Sequence, residues 1–190
     1  TTIALSILNL VPHPGHIDAG RILYDYRDLL SLKGSDLRRI RGRAISMIFQ
    51  DPTSGLNPVM TIGSQVEEIV RTHLDVTKDE SRRIMLDALQ AQGLAEPKRV
   101  AGSFPFQLSG GMCQRVMIAI ATVMRPSVII ADEPTSSLDV TVQAAILYEL
   151  QELRDNLGAG IILITHDLGV VAHAADEVAV MYAGRIVEHG

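Results

Sequence analysis

The sequence predicts an α/β fold, in which a mainly parallel sheet is flanked by helices and carries an all-helical insert. The first observation is that short apolar runs alternate with segments of helical periodicity in the last third of the chain. Consecutive strand, helix and strand units of this kind form parallel sheets. The second observation is a series of helical patterns between residues 61 and 125. We therefore expect a core built from residues 1–60 and 126–190 and a helical subdomain over 61–125.

The first sixty residues are expected to contribute a helix, two strands and a loop. Apolar residues at helical spacing over 1–10 predict a helix that stops before Pro12. A short strand is expected around 21–26 and a helical turn over 36–41. The apolar run 44–49 predicts a buried strand, and the segment 50–58 that follows it is rich in turn residues. A strand therefore leads directly into a polar loop.

The helical insert and the second half of the core follow in order. Helices are expected over 62–74 and 78–94, and Gly110 and Gly111 precede a third helix over 112–124 that stops before Pro126. The remaining chain predicts strands over 128–131, 160–165 and 177–182 and helices over 140–157 and 168–174. The run 128–131 is apolar throughout and lies between Pro126 and Pro134, which is typical of a strand buried on both faces.

The composition excludes several classes of protein. The 190 residues include 17 Lys and Arg against 22 Asp and Glu, and the net charge of −5 does not fit a protein that coats nucleic acid. The longest nearly unbroken apolar stretch, 116–124, is far shorter than the ~20 residues that cross a bilayer. The single cysteine, Cys113, excludes a disulfide within this sequence and fits a reducing compartment. Because the sequence starts at Thr1 without Met and ends beside a strand-like run, we expect both ends to be cut.

Two adjacent carboxylates follow the apolar strand 128–131. In open parallel sheets, ligands bind beyond the carboxyl ends of the strands, and Asp132 and Glu133 come at such an end. An aspartate there can hold Mg²⁺, while the next carboxylate can orient or deprotonate an attacking water. Taken alone, the pair is equally compatible with an exposed turn at the end of a strand.

A serine and two glycines open the helix that ends the insert. Ser109 is a good N-cap residue, and Gly110 and Gly111 would let the backbone approach an anion at the positive end of the helix dipole. This pattern indicates a phosphate-binding helix end. In isolation it also fits an ordinary capped helix after a glycine turn.

Taken together, the motifs resemble those of the ATP-binding-cassette (ABC) ATPases. The resemblance rests on three segments in order, which are Leu-Ser-Gly-Gly-Met-x-Gln-Arg at 108–115, Asp-Glu-Pro-Thr-Ser-Ser-Leu-Asp at 132–139 and Ile-Thr-His-Asp at 164–167. Ser109 and Glu133 lie 24 positions apart, and Glu133 and His166 lie 33 apart, as in that family. The resemblance covers essentially the whole chain and implies a P-loop NTPase-like core that binds ATP and Mg²⁺.

The resemblance implies a role for each matching residue. Asp132 matches the aspartate of the Walker B motif, Glu133 the general base, and His166 the switch histidine that contacts the γ-phosphate. Gln50 matches the glutamine that senses Mg²⁺ and the γ-phosphate and couples to the transmembrane subunit. The signature motif, which contacts ATP held by the opposite subunit, is matched by Ser109, Gly110 and Gly111. The D-loop aspartate at the dimer interface is matched by Asp139.

One family motif is missing from the sequence. No G-x-x-x-x-G-K-[ST] segment, which cradles phosphates, occurs in the 190 residues. In the branch with the best match, the lysine of this missing segment is followed by a hydroxyl residue and then by a run that resembles residues 2–8. On that match, Thr1 would be the hydroxyl ligand of Mg²⁺. A one-residue shift of that match would place the ligand before Thr1. We expect the sequence as printed to be truncated at its N-terminus and to bind ATP poorly.

The branch that the motifs resemble is that of the dipeptide, oligopeptide and nickel importers. The segments Ile-Phe-Gln-Asp-Pro at 48–52 and Leu-Asn-Pro at 56–58 match it, whereas Phe106 stands where that branch commonly has His. The resemblance implies transmembrane permease subunits and a second cassette as partners, a substrate-binding protein acting indirectly, and a position on the cytoplasmic face of the membrane. It implies no nucleic-acid partner.

Three functional interpretations remain at this point. The first is the ATP-hydrolysing subunit of a peptide importer. The second, a cassette of the DNA-repair type, is disfavoured because no sustained heptads and no long coiled-coil insertion lie between Gln50 and Ser109. The third is a non-catalytic, truncated cassette module that docks on a permease or on an intact partner cassette.

Overall fold

A three-stranded parallel sheet forms the centre of the fold. In the computed structural model, which describes residues 1–51, 55–135 and 140–190, the strands lie in the order β3-β4-β5. Their bounds are Ile45–Ile48 for β3, Val128–Asp132 for β4 and Gly160–Ile164 for β5. The register pairs Ile48 with Ala131 and Asp132 with Ile164, so the carboxyl ends of all three strands meet at one edge. The predicted parallel sheet is confirmed.

Both faces of β3 and β4 are buried, as their apolar residues predict, whereas β5 is more open and its Ile162 is 39% exposed. On one face, Ile48, Ile129 and Ala131 pack against the helices that follow, and on the other, Ile45, Met47 and Ile130 pack against the N-terminal helix. The alternation follows from the period of two along a strand. A sheet covered on both faces explains why the central strand consists almost entirely of apolar residues.

Eight helices flank the sheet or form the insert in the part of the chain that the structure describes. Their bounds are α1 Thr2–Ile7, α2 Gly34–Ile40, α3 Ile62–His73, α4 Lys78–Ala91, α5 Pro97–Gly102, α6 Gly110–Thr122, α7 Val140–Leu157 and α8 Leu168–Ala174. Short 3₁₀ turns occur at Leu29–Ser31 and Pro105–Gln107. Over the same residues, no helix is both long and apolar enough to span a lipid bilayer.

Polar side chains cap the helices where the sequence offers them. Thr77 and Glu80 form a reciprocal capping box at the start of α4. Thr61 caps α3, Ser109 caps α6 and Asp167 caps α8 by accepting backbone N–H donors. These caps satisfy amide groups that would otherwise lack partners in the first turn.

Helix α6 connects two separate hydrophobic clusters. Cys113, Val116 and Ala119 on one side pack with α3 and α4, whereas Met117 and Ile118 on the other side pack with the sheet and α7. The helical segment that contains α3 to α6 thus has its own apolar core. Its predicted limits at residues 61 and 125 remain a prediction.

The predicted strand over 177–182 is shorter than expected and does not join the parallel sheet. Instead, β6 (Ala179–Tyr182) pairs antiparallel with β7 (Arg185–His189) in a separate hairpin. Ala183 and Gly184 between them both have positive φ, which gives the tight turn that such hairpins require. The alternation of strands and helices predicted that this strand would join the parallel sheet, which is wrong. The two-residue turn pairs it with β7 instead.

The predicted single strand around 21–26 is likewise a small hairpin. Strands β1 (Leu23–Tyr24) and β2 (Arg27–Asp28) pair antiparallel around Asp25 and Tyr26, and both turn residues have positive φ. The sequence did not indicate this turn because neither residue is glycine.

The first helix also ends earlier than predicted. Helix α1 stops at Ile7 because Asn9 adopts a left-handed conformation with φ of 51°. The amide of Leu10 then donates to the carbonyl oxygen of Leu5 at 2.7 Å, which closes the helix end. Asparagine is among the few residues that adopt this conformation readily. The left-handed Asn9 therefore ends the helix before it reaches Pro12, which would have stopped it.

Arg115 on α6 links the helical segment to the core. Its Nη1 donates to the carbonyl oxygen of Gln92 at 2.7 Å, and its Nη2 lies 3.3 Å from Glu149 Oε1 on α7. Gly93, next to Gln92, has a φ of 65°, and a Cβ built on it would lie 2.8 Å from Arg115 Nη1. Close approach of the arginine therefore requires glycine at position 93.

Replacing this glycine should destabilise the fold. Gly93→Ala combines a left-handed alanine with displacement of Arg115, and we expect it to lower the free energy of unfolding of the full-length protein by about 1–3 kcal/mol in chemical denaturation. Gly102→Ala is the matched control, because no atom lies within 4 Å of its built Cβ and its φ is not positive. Equal effects of the two substitutions would contradict this account of Gly93.

Candidate functional site at the carboxyl edge of the sheet

Three of the predicted site residues meet where the parallel strands end. Gln50 comes two residues after β3, Glu133 one residue after β4 and His166 two residues after β5. Because the register aligns these strand ends, their side chains converge although they lie more than thirty positions apart in sequence. The edge is the one at which open α/β sheets bind ligands.

The Glu133 carboxylate lies at the centre of this group. Gln50 Nε2 donates to Glu133 Oε2 at 3.1 Å, and His166 Nδ1 lies 3.5 Å from the same oxygen. Within the described residues, both contacts therefore use Oε2 and leave Oε1 facing no donor. His166 is 77% exposed and Glu133 28% exposed, so both side chains are open to a ligand or a water.

The backbone at Glu133 is strained. Its φ is 46°, in the left-handed region that a non-glycine residue occupies at a cost of about 1–3 kcal/mol. Its N–H donates to the carbonyl oxygen of Ile164 in β5 at 2.8 Å. Such conformations persist only where the surrounding structure holds them, and they cluster at functional sites.

Four residues that were not predicted complete the site. Gln50, Glu133 and His166 line a pocket of about 310 Å³, and the others that line it are Thr135, Gln143, Thr165 and Asp167. Thr165 Oγ1 accepts the N–H of Asp167 at 3.1 Å, and Asp167 caps α8, which fixes the turn that carries His166. Thr165 and Asp167 flank His166 in the motif, so their proximity was visible in the sequence. Gln143 ends the run 132–143 that resembles the peptide-importer branch, but no role was predicted for it.

Asp132 is buried directly behind this pocket. Only 1% of its surface is exposed, and its Oδ1 accepts no well-formed hydrogen bond from the described residues, although the α-amino nitrogen of Thr1 lies 2.9 Å away. The α-amino nitrogen of Thr1 thus supplies the positive charge that a buried carboxylate requires, and a bound cation would supply the same charge. The side chain of Thr1 makes no capping hydrogen bond at the start of α1, and its role as a metal ligand remains a prediction.

Over the described ranges, no group of three or more His, Cys, Asp or Glu side chains is arranged to hold a metal.

The signature residues lie apart from this pocket. Ser109 Oγ accepts the N–H of Met112 at 3.3 Å, as its predicted N-cap role requires. Gly110 and Gly111 are exposed, and a Cβ on either would meet no atom within 4 Å. Nothing in the described part of this chain therefore requires glycine at these two positions. Asp139, together with the loop residues at 52–54 and 136–138, lies outside the described residues.

Cys113 is a packed residue of α6 and not an exposed nucleophile. Its thiol is buried, and Sγ lies 3.5 Å from the carbonyl oxygen of Pro105. Burial, together with the negative charge of Asp51, raises the pKa of this thiol above its ordinary value. A thiol in this environment reacts slowly.

Two features define the class of α/β nucleotide-binding cassettes. One is a parallel sheet with an acidic pair at the end of its central strand, and the other is a helical insert whose last helix begins with Ser-Gly-Gly. The chain belongs to the ABC transporter family, whose model matches residues 1–136. The resemblance drawn from the motifs and the predicted fold class are both confirmed.

Curated relatives place the chain near peptide transporters. It is 45% identical over 186 residues to the oligopeptide transport ATP-binding protein OppD of Bacillus subtilis, covering 97% of this chain and 52% of that protein. It is 46% identical over 187 residues to the dipeptide transport ATP-binding protein DppD of Haemophilus influenzae, covering 98% of this chain and 57% of that protein. The chain therefore spans about half the length of the curated relatives it matches.

Solved structures share the fold. The dimeric structure of MJ0796, a bacterial ABC transporter cassette, matches with a TM-score of 0.82 and 29% identity, covering 100% of this chain and 78% of that one. A post-hydrolysis dimer of the same cassette bound to ADP and Pi gives a TM-score of 0.80 with 29% identity over 97% and 78% of the two chains. CbiO1 of Clostridium perfringens, part of the ABC transporter complex cbiONQ, matches with a TM-score of 0.79 and 30% identity, covering 100% of this chain and 71% of that one.

The packing of Cys113 can be tested by alkylation. We expect iodoacetamide to modify Cys113 in the native protein at pH 7.5 at least ~100-fold more slowly than in the urea-unfolded protein, because reaction must wait for α6 to open. The modified residue is identified by peptide mass spectrometry. Rapid labelling of the native protein would mean that α6 does not pack as described.

Proposed function

We propose that this chain belongs to the ATP-hydrolysing subunit of an ABC importer for dipeptides or oligopeptides. The observation that carries the proposal is the Glu133 carboxylate at the carboxyl end of β4, held between Gln50 and His166 and beside the buried Asp132. Supporting it are the family membership and the peptide-transport names of the relatives.

In this proposal Glu133 is the general base. Its Oε2 is already engaged by Gln50 and His166, so Oε1 is the oxygen that accepts a hydrogen bond, and then a proton, from the attacking water. The two contacts hold the carboxylate in one orientation, which matters because general-base catalysis depends on the position of the base. His166, being exposed beside it, is placed to contact the γ-phosphate of ATP.

Asp132 and Gln50 are the residues proposed to hold Mg²⁺ in the Mg²⁺–ATP substrate, together with the hydroxyl of Thr1. The ion would neutralise the phosphate charge that develops during hydrolysis. Asp132 suits this role because its buried carboxylate requires a positive charge beside it, which the α-amino nitrogen of Thr1 supplies at 2.9 Å and which Mg²⁺ would supply in the complex with ATP.

Ser109, Gly110 and Gly111 are proposed to contact the γ-phosphate of ATP held by a second cassette. The exposed helix start presents backbone amides and a positive dipole end to an anion. Because nothing within the described chain requires the two glycines, an approaching group from outside is a consistent reason for them. Asp139 is assigned to the same dimer interface by its motif alone.

The proposed assembly contains two cassettes and two transmembrane permease subunits on the cytoplasmic face of the membrane. The second cassette is supported by the dimeric MJ0796 structures, and the permease partners by the complex to which cbiO1 belongs. A substrate-binding protein would deliver peptide to the permease and act on this chain only indirectly. The segment 61–125 is proposed to be the subdomain that faces the permease, and no nucleic acid is involved.

The assignment of Glu133 predicts a separation of turnover from binding. We expect Glu133→Gln in the full-length protein to lower steady-state ATP hydrolysis at least ~100-fold, because the amide cannot accept the proton, while the Kd for ATP changes less than about threefold. Glu68→Gln on the exposed side of α3 is the matched control and should retain normal turnover. Normal hydrolysis by Glu133→Gln would refute the assignment of the base.

The cargo is tested in the reconstituted transporter. With permease, binding protein and cassettes in proteoliposomes, we expect ATP-dependent accumulation of labelled dipeptides or oligopeptides, and none with the Glu133→Gln cassette. Nickel ions and an unrelated sugar serve as comparison cargos. Uptake of either of these without peptide uptake would overturn the peptide assignment while leaving the ATPase assignment intact.

A further inference from the structure

We propose that Gln143 is a positioning residue for Glu133, because its amide holds the strained turn that carries the catalytic carboxylate. The proposal rests on the function assigned above to Glu133. Gln143 lies in the first turns of α7 and lines the same pocket as Glu133 and His166. It ends the run 132–143 that resembles the peptide-importer branch, but the resemblance assigned it no role. Its Nε2 donates to the carbonyl oxygen of Thr135 at 3.1 Å.

The turn needs support from outside itself. Glu133 has a left-handed φ of 46°, which is unfavourable for a side chain with a Cβ, so the segment from Glu133 to Thr135 would relax if it were free. On its N-terminal side, the Glu133 N–H is held by Ile164 in β5 at 2.8 Å. On its C-terminal side, the Thr135 carbonyl is held by Gln143. The two hydrogen bonds fix the turn between the sheet and α7.

Helix α7 is a rigid base for the second of these contacts. Ile146 and Leu150, one and two turns beyond Gln143, are each 4% exposed and pack against the sheet. Thr135 is also buried, with 3% of its surface exposed, so its carbonyl has little access to water that could replace the amide. Among the described residues, the Gln143 amide is the donor to this carbonyl, so its loss would remove that hydrogen bond and free the turn to shift.

A shift of this turn would affect catalysis more than binding. Glu133 must present Oε1 to the water, and small displacements of a catalytic group lower rates by large factors. Gln143 contacts the turn through Thr135 and forms no hydrogen bond with Gln50 or His166 within the described residues. We therefore expect the effect on kcat to pass through Glu133.

The test compares two glutamines of the same helix. Gln143→Met removes the donor at similar side-chain length, and we expect kcat to fall about ten- to hundredfold, with the Kd for ATP within about threefold of its original value. Gln151→Met is the matched control, because Gln151 Nε2 also donates to a backbone carbonyl, that of His173, at 3.1 Å, but away from the pocket. It should retain normal kcat.

A double-mutant cycle separates positioning from a general structural role. In the Glu133→Gln background, single-turnover hydrolysis should not fall further when Gln143→Met is added, because the base on which Gln143 acts is already gone. An equal further loss in that background, an unchanged kcat, or a loss confined to ATP affinity would each overturn the proposal. If Gln143→Met does not fold, as judged by thermal denaturation, Gln143→Leu removes the donor without adding charge to the pocket and is held to the same criteria.

The two proposals can fail separately. If Glu133→Gln hydrolyses ATP normally, Glu133 is not the base, and the role of Gln143 falls with it. If Glu133→Gln is inactive but Gln143→Met behaves like Gln151→Met, only the positioning role is overturned.

Discussion

The parallel register of β3, β4 and β5 is the constraint on which the rest of the site depends. Gln50, Glu133 and His166 come from three distant parts of the sequence, and they meet only because Ile48 pairs with Ala131 and Asp132 with Ile164. A slip of one residue in either pairing would turn the side chains of that strand to the opposite face and separate the three groups. Burial of both faces of β3 and β4 opposes such a slip between them, since the apolar side chains on each face fill different cores. Strand β5 is held from one face, where Ile161 and Leu163 pack against one of these cores. The hydrophobic core therefore determines the geometry of the polar site.

At the edge of this rigid sheet, the chain adopts an unfavourable conformation at the residue with the most demanding role. A carboxylate that must face both a ligand and a histidine cannot simply continue the strand, and the left-handed turn at Glu133 redirects it. The energy stored in that turn is offset by bonds to the strand on one side and to α7 on the other. The buried Asp132 just before it adds a second local cost, because a buried carboxylate requires a positive charge beside it. Both features are unfavourable for folding alone and are consistent with the binding of a cation and a phosphate that we propose there.

Much of this arrangement could be predicted from the sequence, and the failures have physical causes. Strand and helix positions in the core followed from apolar periodicity, and the family resemblance assigned Gln50, Glu133 and His166 to one site. The hairpin around Asp25 and Tyr26 was missed because neither left-handed turn residue is glycine, whereas the turn at Ala183 was missed although Gly184 offered a signal. Gln143 was missed for another reason. Its contact is to a backbone carbonyl, and hydrogen bonds of that kind depend on the distance between two elements in space, which periodicity does not report.

Helix α6 joins the two parts of the proposed mechanism. Its first turn carries Ser109 and the two unconstrained glycines, while Met117 and Ile118 farther along are buried against the sheet below the Glu133 site. Because a helix of thirteen residues is stiff, a force on its exposed start reaches the sheet through those buried side chains. The bonds of Arg115 to Gln92 and Glu149 resist such a motion, since they fasten the middle of α6 to both neighbouring elements. A ligand that contacts the start of α6 must therefore move the helical segment and the core together or break the contacts of Arg115.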